Sequence, residues 1–117
     1  MPINRLYPAK RFSEVVIHQG TVYLSGQLAD DYCTDITEQT RQTLANIDRF
    51  LAEAGTDKSM LLSATIYLKN IQQDYAAMNA VWDDWMTVAA PARTTVEARL
   101  YHPDVLIEIT VTAALPE

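Results

Sequence analysis

The chain has 117 residues, nine Lys+Arg against fifteen Asp+Glu, a net charge of -6 and a pI near 4.7. That length suits one domain over 1–117, and the acidic balance, with no run of basic residues, argues against a protein that tracks nucleic-acid phosphates. Cys33 is the only cysteine, so no intrachain disulfide forms. Nothing approaches the ~18 apolar residues of a membrane span, so a cytoplasmic protein with no membrane or nucleic-acid partner is expected.

Ile3 to Tyr7 reads as a short edge strand ended by Pro8. Glu14–His18 and Thr21–Gly26 are rich in Val, Ile, Tyr and Thr and flank Gln19-Gly20, which predicts a hairpin with Gly20 at a positive φ. A loop over Ala29–Cys33 follows. Asp35-Ile36-Thr37-Glu38 has the form of a capping box. Ile36, Thr40, Leu44, Ile47, Leu51 and Ala54 then recur at helical spacing, and Gly55 is suited to end the helix.

Leu62, Ala64, Ile66 and Leu68 alternate with polar residues, so a strand with one apolar face is expected. A second helix is predicted over Gln72–Val88, with Tyr75, Met78, Val81, Trp82 and Trp85 as its buried stripe. The last third reads as a strand pair turning at Tyr101-His102-Pro103-Asp104. Its first strand carries Arg93, Thr95 and Glu97 on one face. Its second, from Val105 onward, carries Leu106, Glu108 and Thr110 on that same face.

The order is therefore β-β-β-α-β-α-β-β, an α+β domain whose two helices cover one face of a mixed sheet. The other face is expected to hold Thr65, Tyr67, Thr95, Leu106, Glu108 and Thr110. It is too mixed for a monomer core and predicts packing against another copy of the chain.

Two residues stand out chemically. The planar fork of Arg93, set behind Pro91, matches a carboxylate with two parallel hydrogen bonds. Glu108, between Ile107 and Ile109, gains a raised pKa if it is partly buried, which suits proton transfer near neutrality. Cys33 has no accompanying His or Asn motif, so it reads as structural. His18 and His102 lack metal-ligand spacing, and the three glycines form no phosphate loop.

Several segments together resemble the RidA/YjgF family of reactive-intermediate imine/enamine deaminases. They are Val22-Tyr23-Leu24-Ser25-Gly26-Gln27, Glu38 to Ile47, Ala64-Thr65-Ile66-Tyr67-Leu68, Asp74 to Asn79, Pro91-Ala92-Arg93 with Val96-Glu97, and Ile107-Glu108-Ile109. The resemblance spans nearly the whole chain. It implies a chorismate-mutase-like fold, a homotrimer with clefts between subunits, and hydrolysis of 2-imino acids and their enamine tautomers, such as 2-iminopropanoate and 2-aminoacrylate. The products would be 2-oxo acids and ammonia, with no cofactor and no metal.

By the same resemblance Arg93 binds the substrate carboxylate and Glu108 orients the water. A backbone group of Gly26 faces the ligand, and Asn79 supports the site. Phe12 stands where the family often has a tyrosine, and Thr95 where archetypal members have a cysteine. The family's Ala-Arg-Leu-Pro run becomes Ala98-Arg99-Leu100-Tyr101-His102-Pro103. These changes reline the pocket and mark a divergent subgroup. The alternative is a trimeric protein that binds a small carboxylate metabolite without turning it over. RNA cleavage, attributed to some relatives, is disfavoured by the net charge of -6.

Overall fold

The computed structural model describes residues 2–117. Its strands are β1 (Asn4–Pro8), β2 (Ser13–His18), β3 (Thr21–Leu24), β4 (Leu61–Leu68), β5 (Ala92–Glu97) and β6 (Ile107–Ala114), and its helices are α1 (Ile36–Ala54) and α2 (Ile71–Trp85). The expected element order holds. The six strands form one sheet in the order β1-β2-β3-β6-β4-β5, antiparallel except for the β4–β5 pair.

The hairpin between β2 and β3 turns on Gln19 and Gly20, both at positive φ (52° and 81°). Two such residues make the tight turn whose twist suits a right-handed strand pair. Asp35 caps α1 by accepting the Glu38 backbone N–H at 2.9 Å. Only this half of the capping box forms, because the Glu38 carboxylate accepts instead from Arg41 and Gln42. Gly55 closes the helix in the left-handed conformation, φ 91°.

Ile36, Thr40, Leu44, Ile47, Leu51 and Ala54 are all buried. They pack on Val15, Val22, Ala64, Ile66, Ile107, Ile109 and Val111, which form the sheet's helix-facing side. The three apolar rows at the centre are fixed by register, with Ala64 opposite Val111, Ile66 opposite Ile109 and Leu68 opposite Ile107. α1 lies against β2, β3 and β6, and α2 against β4. No helix among the described residues is long and apolar enough to cross a membrane.

The structure corrects several expectations. In β4 a register shift between Leu61 and Ser63 turns Leu62 outward and buries Leu61 in its place. α2 ends at Trp85 rather than Val88. Its buried residues are Asp74, Met78, Val81 and Trp82, while Tyr75 is 44% exposed. Val105 and Leu106 precede β6 rather than opening it, and Ala98 and Leu100 lie beyond β5.

The largest correction concerns the last two strands, which do not pair: β4 runs between them. Arg93 is level with Ala64 and Thr95 with Ile66, so both share the helix-facing side of the sheet. Glu108 is level with Tyr67 and lies on the opposite side, with Thr65, Thr94, Val96 and Thr110. Thr95 is therefore absent from the uncovered face, and Leu106 lies just before β6, partly buried against the core. Thr65, Tyr67, Glu108 and Thr110 are on it as expected, joined by Val16, Tyr23, Ser63 and Thr112.

Candidate functional site

Glu108 is the second residue of β6, half-buried, beside the exit of β3. That exit is clamped. Gln27 exchanges two backbone hydrogen bonds with Ile109, at 2.8 and 3.0 Å. Ser25 donates its N–H to the Glu14 carbonyl and its hydroxyl to the Ser13 carbonyl. Between them Gly26 lies directly against the glutamate: a Cβ built there would fall 2.0 Å from Glu108 Oε2. The carboxylate thus occupies space that only a glycine leaves free.

A cavity of about 520 Å³ opens at this point, lined by Phe12, Ser25, Gly26, Leu28, Tyr101 and Glu108. On its other flank Glu108 faces a second depression with Tyr67, Ala98, Arg99, Leu100 and Thr110. No side chain among the described residues hydrogen-bonds the Glu108 carboxylate, and burial alone pushes its pKa up. The folded protein therefore keeps this proton at a pH where the unfolded chain has lost it. Stability from the group is fully present below the ordinary glutamate range and is lost as pH rises through the folded pKa. Glu108→Gln is accordingly expected to raise Tm over wild type by more at about pH 7.5 than at about pH 4. Calorimetric scans of both proteins at the two pH values check this, and equal differences would refute the burial argument.

Arg93 builds a second cluster on the other side of the sheet. Edge strand β5 holds it under α2, where its guanidinium carbon lies 5.2 Å from the Trp82 ring centroid and Nη2 approaches the Tyr75 hydroxyl at 3.5 Å. Asn79 falls between Tyr75 and Trp82 on the same helical stripe. Thr95 lies two residues along β5 on the Arg93 side, and its buried hydroxyl oxygen has no partner among the described residues. The one ion pair among the described residues joins Arg41 to Glu38, so the charge of Arg93 is not neutralised by a carboxylate.

The sequence-derived candidates thus fall into two sets. Phe12, Gly26 and Glu108 come together on one side of the sheet; Arg93, Thr95 and Asn79 gather on the other. Within one chain the sheet separates Arg93 from Glu108. Residues that sequence reasoning passed over as candidates are Ser25, Leu28, Tyr67, Arg99 and Tyr101 around Glu108, and Tyr75 and Trp82 around Arg93. The adjacency of Ser25 to Gly26 and an exposed aromatic in a turn at Tyr101 were the signals available for two of them.

The chain matches a protein-family model described as Endoribonuclease L-PSP over residues 2–115. It is 46% identical to a RutC family protein of Haemophilus ducreyi over 114 residues, 97% of each chain. It is 43% identical to the RutC family protein YoaB of Escherichia coli, covering 98% of this chain and all of that one. A crystal structure of a YjgF family member from Neisseria meningitidis superposes with a TM-score of 0.94 at 44% identity, covering 100% of this chain and 98% of that one. A member of the conserved Rid family from Yersinia pestis superposes with a TM-score of 0.86 at 34% identity, covering 92% and 90%.

Proposed function

The chain belongs to the RutC/YjgF/Rid family, with its chorismate-mutase-like α+β fold, and from that premise we propose that it hydrolyses reactive 2-imino acids and enamines at a site shared between two copies of itself. The observation that carries this reading is the separation of Arg93 from Glu108. An arginine with no carboxylate partner and a glutamate with a raised pKa lie on opposite sides of one sheet. The Glu108 side is also the face no helix covers. A cyclic assembly that buries this face brings the Arg93 edge of one copy to the Glu108 cavity of the next. A trimer fits, with three equivalent clefts and no cofactor or metal in the chemistry.

In such a cleft Arg93 clamps the substrate carboxylate and fixes the imine carbon over the cavity floor. Glu108 accepts a proton from water as the oxygen attacks that carbon, giving a tetrahedral carbinolamine. That proton passes to the nitrogen, and the carbinolamine's hydroxyl proton then moves through Glu108 to the same nitrogen, so that the C–N bond breaks and ammonia leaves as the C=O bond forms. Thr95 and Asn79 flank the clamp, while Gly26 and Phe12 line the carboxylate's side. A cytoplasmic location suits this role, since such imines arise as intermediates of amino-acid metabolism.

The test is to generate 2-iminopropanoate in situ and follow its decay. Faster decay with protein than in buffer is expected, and equal rates would end the proposal. Tight binding of a 2-oxo acid without imine turnover would instead favour a carboxylate-binding protein, the reading that the relining by Phe12 and Thr95 supports. RNA cleavage, which the family model's description carries, is disfavoured by the net charge of -6.

A further inference from the structure

The lining of the cavity beside Glu108 is mainly apolar. Besides Ser25, Gly26 and Glu108 its lining is Phe12, Leu28 and Tyr101. In the single chain Phe12 is 57% and Tyr101 72% exposed, and both rings line this concave site. Exposed aromatic area of this kind gains free energy when a ligand covers it, in proportion to the apolar area removed from water.

Tyr101 is also held in place. Its hydroxyl meets that of Tyr32 at 3.1 Å, and the two rings are edge-on with centroids 6.4 Å apart. Tyr32 in turn packs on His102 at 4.8 Å, and His102 Nδ1 accepts the Asp104 backbone N–H. Beneath this cluster Gln39 of α1, fully buried, staples both loops. Its side-chain amide donates to the carbonyls of Tyr32, Thr34 and Asp104, and its oxygen accepts the Leu106 N–H. Asn46, two turns on, donates to the Leu28 carbonyl and to Asp30. The first helix therefore fixes both halves of the wall, Leu28 and Tyr101. A wall positioned before the ligand arrives costs little ordering entropy on binding.

We propose that Tyr101, Leu28 and Phe12 form a subsite for an aromatic or large apolar side chain, so that the preferred substrates are 2-imino acids bearing such a group rather than a methyl. The subsite rests on the reading of the Glu108 cavity as the substrate site, but its ligand preference is measurable whether or not turnover occurs.

The experiment compares wild type with Tyr101→Ala and Tyr32→Phe. The probes are 2-iminopropanoate and 2-imino-3-phenylpropanoate, each generated by an amino-acid oxidase. Binding of pyruvate and phenylpyruvate is measured in parallel by calorimetry. Wild type is expected to favour the phenyl compound about tenfold or more in kcat/KM and in Kd, the scale of discrimination that apolar pockets achieve. The ratio should collapse towards one in Tyr101→Ala and fall part of the way in Tyr32→Phe, which removes only the hydroxyl tie. A wild-type ratio near one overturns the proposal, as does a ratio unchanged by Tyr101→Ala. If neither imine decays faster than in buffer, the hydrolase reading fails. The Kd ratio then decides the subsite alone, upheld by a tenfold preference that Tyr101→Ala removes and overturned by its absence.

Discussion

Mixing Arg93→Ala with Glu108→Gln is expected to restore activity that neither variant retains by itself. Each alone should fall by about 10²-fold or more in kcat/KM, one by losing a charge-assisted carboxylate clamp and the other by losing the proton carrier. In an intramolecular site the mixture would stay inactive, since every chain lacks one of the two groups. In a cleft between copies, a hybrid assembly pairs the intact Arg93 of one variant with the intact Glu108 of the other. Random cyclic assembly makes about a quarter of the clefts complete, so about a quarter of wild-type activity should return after co-expression or joint refolding. An inactive mixture of two inactive singles would refute a cleft shared between copies. Retention of activity by Arg93→Ala would remove that residue from the site, and Arg99, which shares a depression with Glu108 in the same chain, would then be the cation whose alanine variant is inactive.

Strong periodicity made the core legible. The α1 stripe from Ile36 to Ala54 and the alternation in β6 from Ile107 to Ala113 each bury one face completely, and a one-residue slip would have exposed all of it. The hairpin at Gln19-Gly20 was legible for a similar reason, because few sequences tolerate two consecutive positive φ values. β5 was not legible. It is an edge strand of six residues in which no residue is fully buried, so no core enforces its parity. Thr94 and Val96 look like an inward row but face the uncovered side, while Arg93 and Thr95 turn under α2. Burial could not arbitrate, because Trp82 and Tyr75 give the Arg93 guanidinium a place that no periodicity reports. The same gap hid the sheet order. Adjacency in sequence suggested that β5 pairs with β6, whereas the crossover through α2 sets β5 parallel to β4 and leaves β6 on β4's other edge. The candidate residues were thus found individually from chemistry and resemblance, while their division between two surfaces needed the three-dimensional arrangement.

That division makes Gly26 a sharp probe of the Glu108 side alone. Gly26→Ala is expected to fold with Tm within a few degrees of wild type and to lose about 10²-fold in activity, as much as Glu108→Gln. The added methyl would meet Glu108 Oε2 at 2.0 Å and Cδ at 2.8 Å. Both atoms belong to the end of a flexible side chain, so the carboxylate swings aside and the backbone stays. Gly26 is not at a positive φ, hence alanine carries no conformational strain there. Gly20 is the contrasting control. It has φ 81° and nothing within 4 Å of a built Cβ, so Gly20→Ala should cost about 1 kcal/mol of stability through backbone strain and leave turnover intact. The double variant Gly26→Ala/Glu108→Gln should be no slower than either single, because both remove the same positioned carboxylate. Additive losses would mean that Gly26 serves the ligand through its own backbone rather than by making room for Glu108. Full activity in Gly26→Ala would mean that the carboxylate does not work from the place where this fold holds it.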